Sequence, residues 1–251
     1  FDRPNLVYRV IPRLDVRKQV LEVLGRHRNE AAIVYCISRR DAENMATSLQ
    51  AAGVKAGCYH AGLTPERRRK TQEAFSAERL DVIAATVAFG MGIDRSNVRC
   101  VIHAAMPKSI EHYQQETGRA GRDGLPAECV LFYSPADAMK WESLMRRSVE
   151  ESGASEEVLQ ATLELLGHMR GYCASPHCRH KLLVEYFGQA YDKANCGACE
   201  VCLDEVEADP EAFVIAQKIL SCVARVEQRF GVGYVINVLR GANDKLVRSF
   251  R

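Results

Sequence analysis

Two arginines separated by two small residues are the feature of this sequence whose chemistry is easiest to state. Arg119 and Arg122 lie in the stretch QETGRAGRDG, residues 115–124, with Ala120 and Gly121 between them. A guanidinium group is permanently charged, and its planar fork matches the oxygen atoms of a phosphate. Small neighbours leave room for a nucleotide, so the pair could neutralise charge developing on a transferred phosphoryl group. On residue types alone, a solvated basic turn is the alternative.

The sequence does not contain the loop that normally holds the phosphates in such a reaction. A nucleotide-hydrolysing site of the P-loop type needs the pattern GxxxxGK[ST], whose backbone amides cradle the phosphates. None of the 17 glycines is followed by lysine. The sequence therefore predicts an arginine pair whose phosphate cradle is supplied from elsewhere.

Four cysteines form the strongest metal-binding pattern. Cys178, Cys196, Cys199 and Cys202 have the spacing C-x17-C-x2-C-x2-C, and Gly197 allows a tight turn between two of them. Thiolates arranged in this way reach one tetrahedral zinc ion, whose binding would stabilise a segment with few apolar residues. An iron–sulfur cluster is the alternative, because the same spacing resembles a ferredoxin run.

The other cysteines and two histidines have simpler interpretations. His177, His180 and Cys173 are close enough in sequence to substitute as ligands, but we expect them to be neighbours of the site or surface residues. The remaining cysteines lie mostly in apolar runs and are predicted to be buried as small hydrophobic side chains: Cys36, Cys58, Cys100, Cys129 and Cys222. This usage suits a reducing cytosol and a bound metal better than disulfide bonds.

Composition limits the possible partners. The chain has 251 residues, of which 47% are hydrophobic and 26% charged, and a net charge of only +2. Any contact with nucleic acid must therefore come from local patches of charge. No apolar run approaches the roughly 20 residues that span a bilayer, and no signal peptide opens the sequence. We expect no membrane partner.

Strand and helix signals alternate over residues 31–134, which predicts a parallel sheet with helices on both faces. The predicted strands are 31–36, 54–60, 81–87, 99–106 and 127–134, and helices follow Ser38 and Thr64, which are good N-caps. Ligands of such sheets bind beyond the carboxyl ends of strands. Farther along, two helices are predicted within 135–172, then the cysteine cluster, a helix over 211–230 and a short helix over 235–241.

Several motifs in order resemble one known family. TVAFGMGIDR (86–95) precedes the double-arginine stretch by one strand, and the two resemble motifs five and six of superfamily 2 helicases. AIVYCISRRDAE (32–43) resembles motif four. YHAGL (59–63), QETGRAGRDGLPAE (115–128) and the cysteine region (178–204) are similar in order and spacing to the RecQ helicase family. The resemblance extends from FDRPN at the first residue to FGVGYVINVLRG at 230–241.

The resemblance implies a second RecA-like lobe (1–135), a helical linker with a four-cysteine zinc module (136–207) and the start of a winged helix (208–251). It implies that Arg122 is an arginine finger that reaches the γ-phosphate of ATP, with Arg119 as its partner. It also implies that Asp94, Gly92, Gln115 and Gly118 lie on the nucleotide side, with ATP and Mg²⁺ held against the first lobe of the same parent chain.

DNA contacts are implied at the ends of the strands. By resemblance, Ser38, Arg39, His60, Gly62 and Thr86 face the phosphates of a single strand, although Ser38 could merely cap its helix and Thr86 could be an ordinary strand end. The run Arg67-Arg68-Arg69-Lys70 is predicted to be a solvated helix face.

Two hypotheses of different classes follow. In the first, the chain is part of an ATP-dependent 3′-to-5′ DNA helicase of RecQ type, in the bacterial cytoplasm or the nucleus, that acts on single strands and their junctions with duplex. The phosphate-binding loop, the DExH box and the remainder of the winged helix fall outside its sequence, so the chain alone should not hydrolyse ATP. In the second, it is a stand-alone zinc-containing nucleic-acid-binding or regulatory module.

Overall fold

Six parallel strands organise residues 1–205, the first of two units into which the computed structural model divides; the second is residues 206–251. The structure describes residues 1–86, 95–206 and 210–242. The strands are β1 (Leu6–Pro12), β2 (Ala31–Tyr35), β3 (Ala56–Tyr59), β4 (Val82–Ala85), β5 (Val98–His103) and β6 (Ala127–Tyr133). Their order across the sheet is β1-β6-β5-β2-β4-β3, and every neighbouring pair is parallel.

Parallel strands need crossovers, and here helices supply them on both faces of the sheet. These helices are α1 (Val16–Arg26), α2 (Arg39–Ala51), α3 (Pro65–Ser76) and α4 (Ile110–Thr117). Helices α1 and α2 pack in one hydrophobic cluster, whereas α3 and α4 contribute to the cluster on the opposite side of the sheet. The predicted RecA-like parallel sheet, covered on both faces, is confirmed.

Side-chain oxygens begin each of these helices. Asp15, Ser38, Thr64 and Ser109 each accept a hydrogen bond from a backbone amide of the first turn. Such caps satisfy amides that have no partner within the helix. The two caps predicted from the sequence, Ser38 and Thr64, therefore fix where α2 and α3 begin.

Three more helices extend the core on the side of α4. They are α5 (Pro135–Ser152), α6 (Glu156–Ala174) and α7 (Arg179–Tyr186), and their buried residues join the same hydrophobic cluster as Tyr113 of α4. The single tryptophan, Trp141 on α5, donates from Nε1 to the Met106 carbonyl at 2.7 Å. Because these helices share the core of the sheet, the linker region is packed as part of the first unit.

The cysteine-rich segment covers the free edge of β1. The Tyr8 amide donates to the Ala198 carbonyl at 3.0 Å, and the Glu200 amide donates to the Tyr8 carbonyl at 3.2 Å. The buried Glu200 carboxylate accepts from Arg179 Nε at 2.6 Å and from the Val10 amide at 3.1 Å. An exposed strand edge can pair with another chain. Here residues 198–200 occupy the edge of β1 where they pair with Tyr8.

The second unit contains two helices among its described residues, α8 (Ala212–Arg225) and α9 (Val232–Leu239). Helix α8 ends earlier than the predicted boundary near residue 230, because Glu227 and Gln228 adopt positive φ angles that a helix cannot continue. Helix α9 begins three residues before its predicted start. Over the described residues, none of the helices is both long and apolar enough to cross a membrane.

The sequence patterns did not predict strand β1 or helices α1 and α4. Strand β1 has the sequence LVYRVIP, in which Arg9 interrupts the apolar run. Helix α4 has only 8 residues and overlaps the double-arginine stretch. Each predicted strand that the structure describes is present, but shorter by one or more residues.

Arg9 belongs to a cluster of charged side chains around Glu128 of β6. The Glu128 carboxylate, 7% exposed, accepts from Arg9 at 2.9 Å, Arg26 at 2.7 Å and His27 at 2.7 Å. Burial would raise the pKa of Glu128, but bonds with His27 and Arg26 outweigh it and lower the pKa to about 2. The hydrogen bond between Glu128 and His27 is also the main cause that raises the pKa of His27.

This cluster predicts how stability depends on pH. The pKa of Glu128 is lower in the folded state than in the unfolded state, where it is near 4.5. Ionised Glu128 therefore stabilises the fold fully above about pH 4.5, and this contribution is lost as the pH falls toward 2. The pKa of His27 is higher in the folded state than its usual value of 6.5. Protonated His27 therefore stabilises the fold fully below about pH 6.5, and this contribution is lost as the pH rises through the folded-state pKa. We therefore expect Glu128→Gln to cost about 3 kcal/mol of unfolding free energy, most strongly between about pH 4.5 and 6.5.

Urea unfolding followed by the fluorescence of Trp141 measures this loss. The matched control is Glu22→Gln, because Glu22 on α1 is exposed and 4.0 Å from Lys18. A loss for Glu128→Gln that equals the control's, or that does not vary with pH, would show that the cluster does not contribute as described.

Candidate functional site

The four predicted metal ligands come together at one end of α7. The sulfur atoms of Cys178, Cys196, Cys199 and Cys202 all lie within 4.8 Å of one another. Thiolates bound to one zinc ion at about 2.3 Å lie about 3.8 Å apart, so this spacing is close to that of a tetrahedral site. Cys178 is the N-cap residue of α7, and Cys199 is fully buried.

Local backbone geometry holds the turn between the ligands. Gly197 has φ +62°, and its amide donates to the Asn195 side chain at 2.6 Å. The amides of Ala198 and Cys202 point at the sulfurs of Cys196 and Cys199, at 3.3 and 3.4 Å. Amides directed at sulfur favour the thiolate form that binds a metal. The donor set is therefore suited to zinc.

The three nearby residues considered as substitutes are placed differently. The His180 ring lies 3.1 Å from the Asp2 carboxylate through Nδ1 and donates from Nε2 to the Leu6 carbonyl at 3.0 Å. Cys173 is buried on α6, where burial raises the pKa of its thiol, and His177 is exposed. Among the described residues, the group of four cysteines includes none of these three.

The double-arginine stretch forms a loop, here called the arginine loop (residues 118–126), between α4 and β6. The loop returns the chain to the amino ends of the strands, where the Gly121 amide donates to the Val98 carbonyl at 2.9 Å. Gly121 has φ +56°, and a Cβ there would lie 2.6 Å from Asn5 Nδ2 and 2.8 Å from the Leu125 carbonyl. Only glycine therefore fits the centre of this loop without displacing its backbone.

The far side of the arginine loop is held by an ion pair. Arg99 on β5 contacts Asp123 at 2.5 Å and donates to the Pro126 carbonyl at 3.0 Å. Asp123 also accepts from the Leu125 amide at 3.1 Å, and the bond with Arg99 is the main cause that lowers the pKa of Asp123. The aspartate that follows Arg122 is thus a structural part of the loop.

The two arginines have different surroundings. Arg119 is 7% exposed and lies close to Tyr35 at the end of β2. Burial raises the pKa of Tyr35 and the nearby Glu116 carboxylate raises it further, while Arg119 opposes the shift. Arg122 is exposed. Of the pair, Arg122 is therefore the one whose position suits contact with a ligand.

A buried pair that the sequence patterns did not predict lies beside Tyr35. His103, the last residue of β5, and Glu116 of α4 are 2.7 Å apart, and both are almost fully buried. The His103 ring stacks on Tyr35 with centroids 5.3 Å apart. A histidine that directly follows the apolar run 100–102 was the available signal. This pair fixes the end of α4 and thereby the start of the arginine loop.

The predicted nucleotide-side residues are only partly placed. Gly118 is the C-cap of α4, and a Cβ there would lie 2.9 Å from the Gln114 carbonyl. Gln115 is exposed on the same helix. Asp94 and Gly92 lie outside the described residues.

The five residues predicted to contact DNA lie at the carboxyl ends of three neighbouring strands, here called the DNA edge. Ser38 follows β2, His60 and Gly62 follow β3, and Thr86 follows β4, and these strands are neighbours. The Thr86 amide donates to the Tyr59 carbonyl at 3.2 Å and ties two of these strand ends together. Because all strands are parallel, these loops meet at their carboxyl ends.

Side chains also meet at this edge. Arg39 covers Gly62 so closely that a Cβ on the glycine would lie 3.0 Å from Arg39 Cδ. His60, 3% exposed, is 2.9 Å from Glu43 through Nε2, and its Nδ1 is buried with no hydrogen-bond partner among the residues that the structure describes. Ser38 accepts from the Asp41 amide at 3.1 Å, so its oxygen caps α2. This edge combines a helix N-terminus, an exposed cation and a buried imidazole.

The neighbouring basic run is engaged within its own helix. Arg69 contacts Glu73 at 2.9 Å and Lys70 contacts Glu66 at 2.7 Å, as pairs four residues apart on α3. Arg67 and Arg69 are exposed. The arrangement agrees with a solvated helix face.

Three family models match the chain in succession. The helicase conserved C-terminal domain matches residues 15–124, the RecQ zinc-binding model matches 135–203, and the RQC domain matches 210–251. The zinc-binding match and the cluster of four cysteines together fit a structural zinc.

Similar proteins agree over nearly the whole chain. An ATP-dependent DNA helicase RecQ of Pasteurella multocida is 42% identical over 249 residues, which cover 99% of this chain and 38% of that protein. The protein of the same name from Bacillus subtilis is 40% identical over 98% of this chain and 41% of its own length. The RecQ-like DNA helicase blm-1 of Caenorhabditis elegans is 38% identical over 96% of this chain and 25% of its own length.

A solved DEAD box protein from Methanococcus jannaschii is 25% identical, covering 56% of this chain and 39% of that chain, with a TM-score of 0.47. The chain spans about two fifths of the length of the two bacterial relatives described above. With three consecutive matching regions and this identity throughout, the chain belongs to the RecQ helicase family.

Proposed function

We propose that this chain works within an ATP-dependent DNA helicase of RecQ type, to which it contributes an arginine for ATP hydrolysis and an edge for single-stranded DNA. One observation carries the proposal: the exposed Arg122 shares a short loop with Arg119, and Arg119 lies close to Tyr35 at the end of β2, three residues before Ser38. A nucleotide at the arginine loop and DNA at the strand ends would therefore act on the same strand, β2.

Arg122 has the role of the finger in this proposal. It is exposed on a loop whose backbone is fixed on both sides, whereas Arg119 is buried and supports the loop. An arginine supplied from a separate lobe stabilises charge on the transferred phosphoryl group only when the lobes close. The phosphate cradle and the Mg²⁺ ligands would come from the first lobe of the parent protein, with Asp94, Gly92, Gln115 and Gly118 on the nucleotide side.

DNA would bind through its phosphates at the edge formed by Ser38, Arg39, His60, Gly62 and Thr86. Arg39 lies in the first turn of α2, where the helix dipole disfavours a cation. A DNA phosphate near this turn would be favoured by both the helix N-terminus and the guanidinium. Contacts to phosphates carry no base preference, which suits movement along any sequence.

Zinc would be bound by Cys178, Cys196, Cys199 and Cys202 in a closed, structural site. The ion supplies no step of the reaction in this proposal; it holds residues 178–203, here called the cysteine module, against β1. The three-part division at residues 135/136 and 207/208, and a location with DNA in the bacterial cytoplasm or the nucleus, belong to the same proposal.

The first prediction concerns Arg122. In the intact parent enzyme, Arg122→Ala should lower kcat for DNA-stimulated ATP hydrolysis by about 1,000-fold, because the finger acts in the transition state. The KM for ATP should change much less. Phosphate release measures both quantities, and Arg17→Ala, an exposed arginine on α1, is the matched control. Residues 1–251 alone should show no turnover; robust hydrolysis by them, abolished by Arg122→Ala, would contradict the split site.

The second prediction concerns DNA. Arg39→Ala should weaken binding of single strands of any sequence and reduce the slope of log K against log salt by about 0.7, the value for one phosphate contact. Fluorescence anisotropy with labelled oligonucleotides at several salt concentrations measures this slope. Arg69→Ala is the control, because Arg69 is paired with Glu73 on α3. An unchanged slope for Arg39→Ala would exclude it from the DNA path.

The third prediction concerns the metal. Purified protein should be colourless and contain one zinc per chain, and Cys199→Ser should lose the metal and become more sensitive to protease. Elemental analysis and limited proteolysis measure these changes. Cys58→Ser on β3 is the control, because that thiol is outside the cluster. A brown protein would favour an iron–sulfur cluster, and a metal-bound, native-like Cys199→Ser would remove Cys199 from the ligand set.

A further inference from the structure

Residues 1–5, here called the strap, contact both the arginine loop and the cysteine module. The sequence stretch FDRPN is polar and has no role among the sites described above. In the structure these residues contact both regions through separate side chains. This arrangement suggests that the strap has a task of its own.

On one side, the strap bonds to the backbone of the arginine loop. Arg3 Nη2 donates to the carbonyls of Ala120 and Gly121 at 3.0 and 2.9 Å. Asn5 Nδ2 donates to the carbonyls of Gly121 and Leu125, both at 3.0 Å. These two side chains therefore supply four hydrogen bonds to carbonyls that lie between and just beyond the two arginines.

On the other side, the strap bonds to the cysteine module. Asp2 contacts His180 at 3.1 Å and Lys193 at 3.0 Å. Phe1 stacks on Phe187 with ring centroids 4.2 Å apart. His180 lies in the first turn of α7, two residues after the proposed ligand Cys178. The strap is thus anchored on the helix that begins at the metal site.

We propose that the strap positions the arginine loop for ATP hydrolysis, with Arg3 and Asn5 as positioning residues and the cysteine module as their anchor. This inference rests on the proposed function of Arg122. The loop has no regular secondary structure, and inside it the Gly121 carbonyl accepts one bond, from the Gly124 amide at 3.0 Å. Carbonyls that are not bonded within the loop depend on donors from outside. Arg3 and Asn5 donate to the Ala120, Gly121 and Leu125 carbonyls, whereas Arg99 of β5 donates to the Pro126 carbonyl. In this proposal neither Arg3 nor Asn5 touches the nucleotide.

The reason to expect a large effect is geometric. A shift of about 1 Å in a catalytic group can cost about 100-fold in rate, even when the substituted residue is far from the chemistry. Loss of the donors would leave Arg122 present but free to move with its loop. The loss should therefore appear in kcat, while binding of ATP, which other groups provide, should change little.

The experiment uses the intact parent enzyme. Arg3→Ala and Asn5→Ala should each lower kcat for DNA-stimulated ATP hydrolysis by about 10- to 100-fold, with the KM for ATP within about threefold of the wild type. Arg3→Lys, which can restore one donor, should recover part of the rate. The matched control is Arg147→Ala, which removes an exposed arginine from α5.

A second measurement does not depend on activity. Hydrogen exchange of residues 118–126 should be faster in Arg3→Ala and Asn5→Ala than in the wild type and the control. Asp2→Ala should also speed exchange in this loop, because Asp2 anchors the strap on the module. Added guanidinium at low millimolar concentration should slow the exchange of Arg3→Ala and not that of the control.

The outcomes separate this inference from the function on which it rests. If Arg122→Ala is inactive but Arg3→Ala and Asn5→Ala match the control in kcat and exchange, the strap does not position the loop. If Asp2→Ala leaves exchange of the loop unchanged, the module is not its anchor. If the wild-type enzyme lacks DNA-stimulated hydrolysis, the proposed function fails, and the exchange data alone decide whether the strap holds the loop. If either alanine variant fails to fold, Arg3→Met and Asn5→Leu, which keep most of the side-chain volume and remove the donors, provide the same comparison.

Discussion

Parallel pairing of β1 with β6 is the interaction on which the rest of the first unit depends. The two strands are in register from Leu6 opposite Ala127 to Pro12 opposite Tyr133. Because the strands are parallel, the residues before β1 lie beside the loop before β6, which is the arginine loop. The same pairing places β1 at the edge of the sheet, where its other side is open to residues 198–200. One ladder of backbone hydrogen bonds thus joins the strap, the arginine loop and the cysteine module.

The burial of charge follows from the same arrangement. Arg9 points from β1 toward Glu128 on β6, and Arg179 points from α7 toward Glu200 beside β1. A buried carboxylate without a partner would be strongly destabilising, so each position requires its cation. These pairs contribute specificity more than net stability, because the cost of desolvation offsets much of their attraction. They oppose a shift of β1 along its neighbours, since a shift by one residue would separate both pairs.

The sequence was sufficient to predict the parallel sheet, the caps of α2 and α3, and the grouping of the four cysteines. These features depend on local patterns: apolar runs, a cap residue and the spacing of thiols. Strand β1 was missed because its central Arg9 breaks the apolar run, and its partner Glu128 is 119 residues away. The pair His103–Glu116 and the bonds from Arg3 and Asn5 were missed for a related reason. Their meaning depends on contacts between distant segments, which a residue type and its neighbours do not encode.

The different surroundings of the two arginines bear on how the proposed sites would communicate. Arg119 is buried against Tyr35, which stacks on His103, so its position is fixed by β2 and β5 together. Arg122 shares a short loop with Arg119 but is exposed. A nucleotide at Arg122 would therefore lie on the same short loop as the arginine that is buried close to the end of β2. Three residues farther along, Ser38 caps α2 at the strand ends where we propose that DNA binds. Only Cys36 and Ile37 separate Tyr35, the last residue of β2, from Ser38, so the two proposed sites would meet at one strand end.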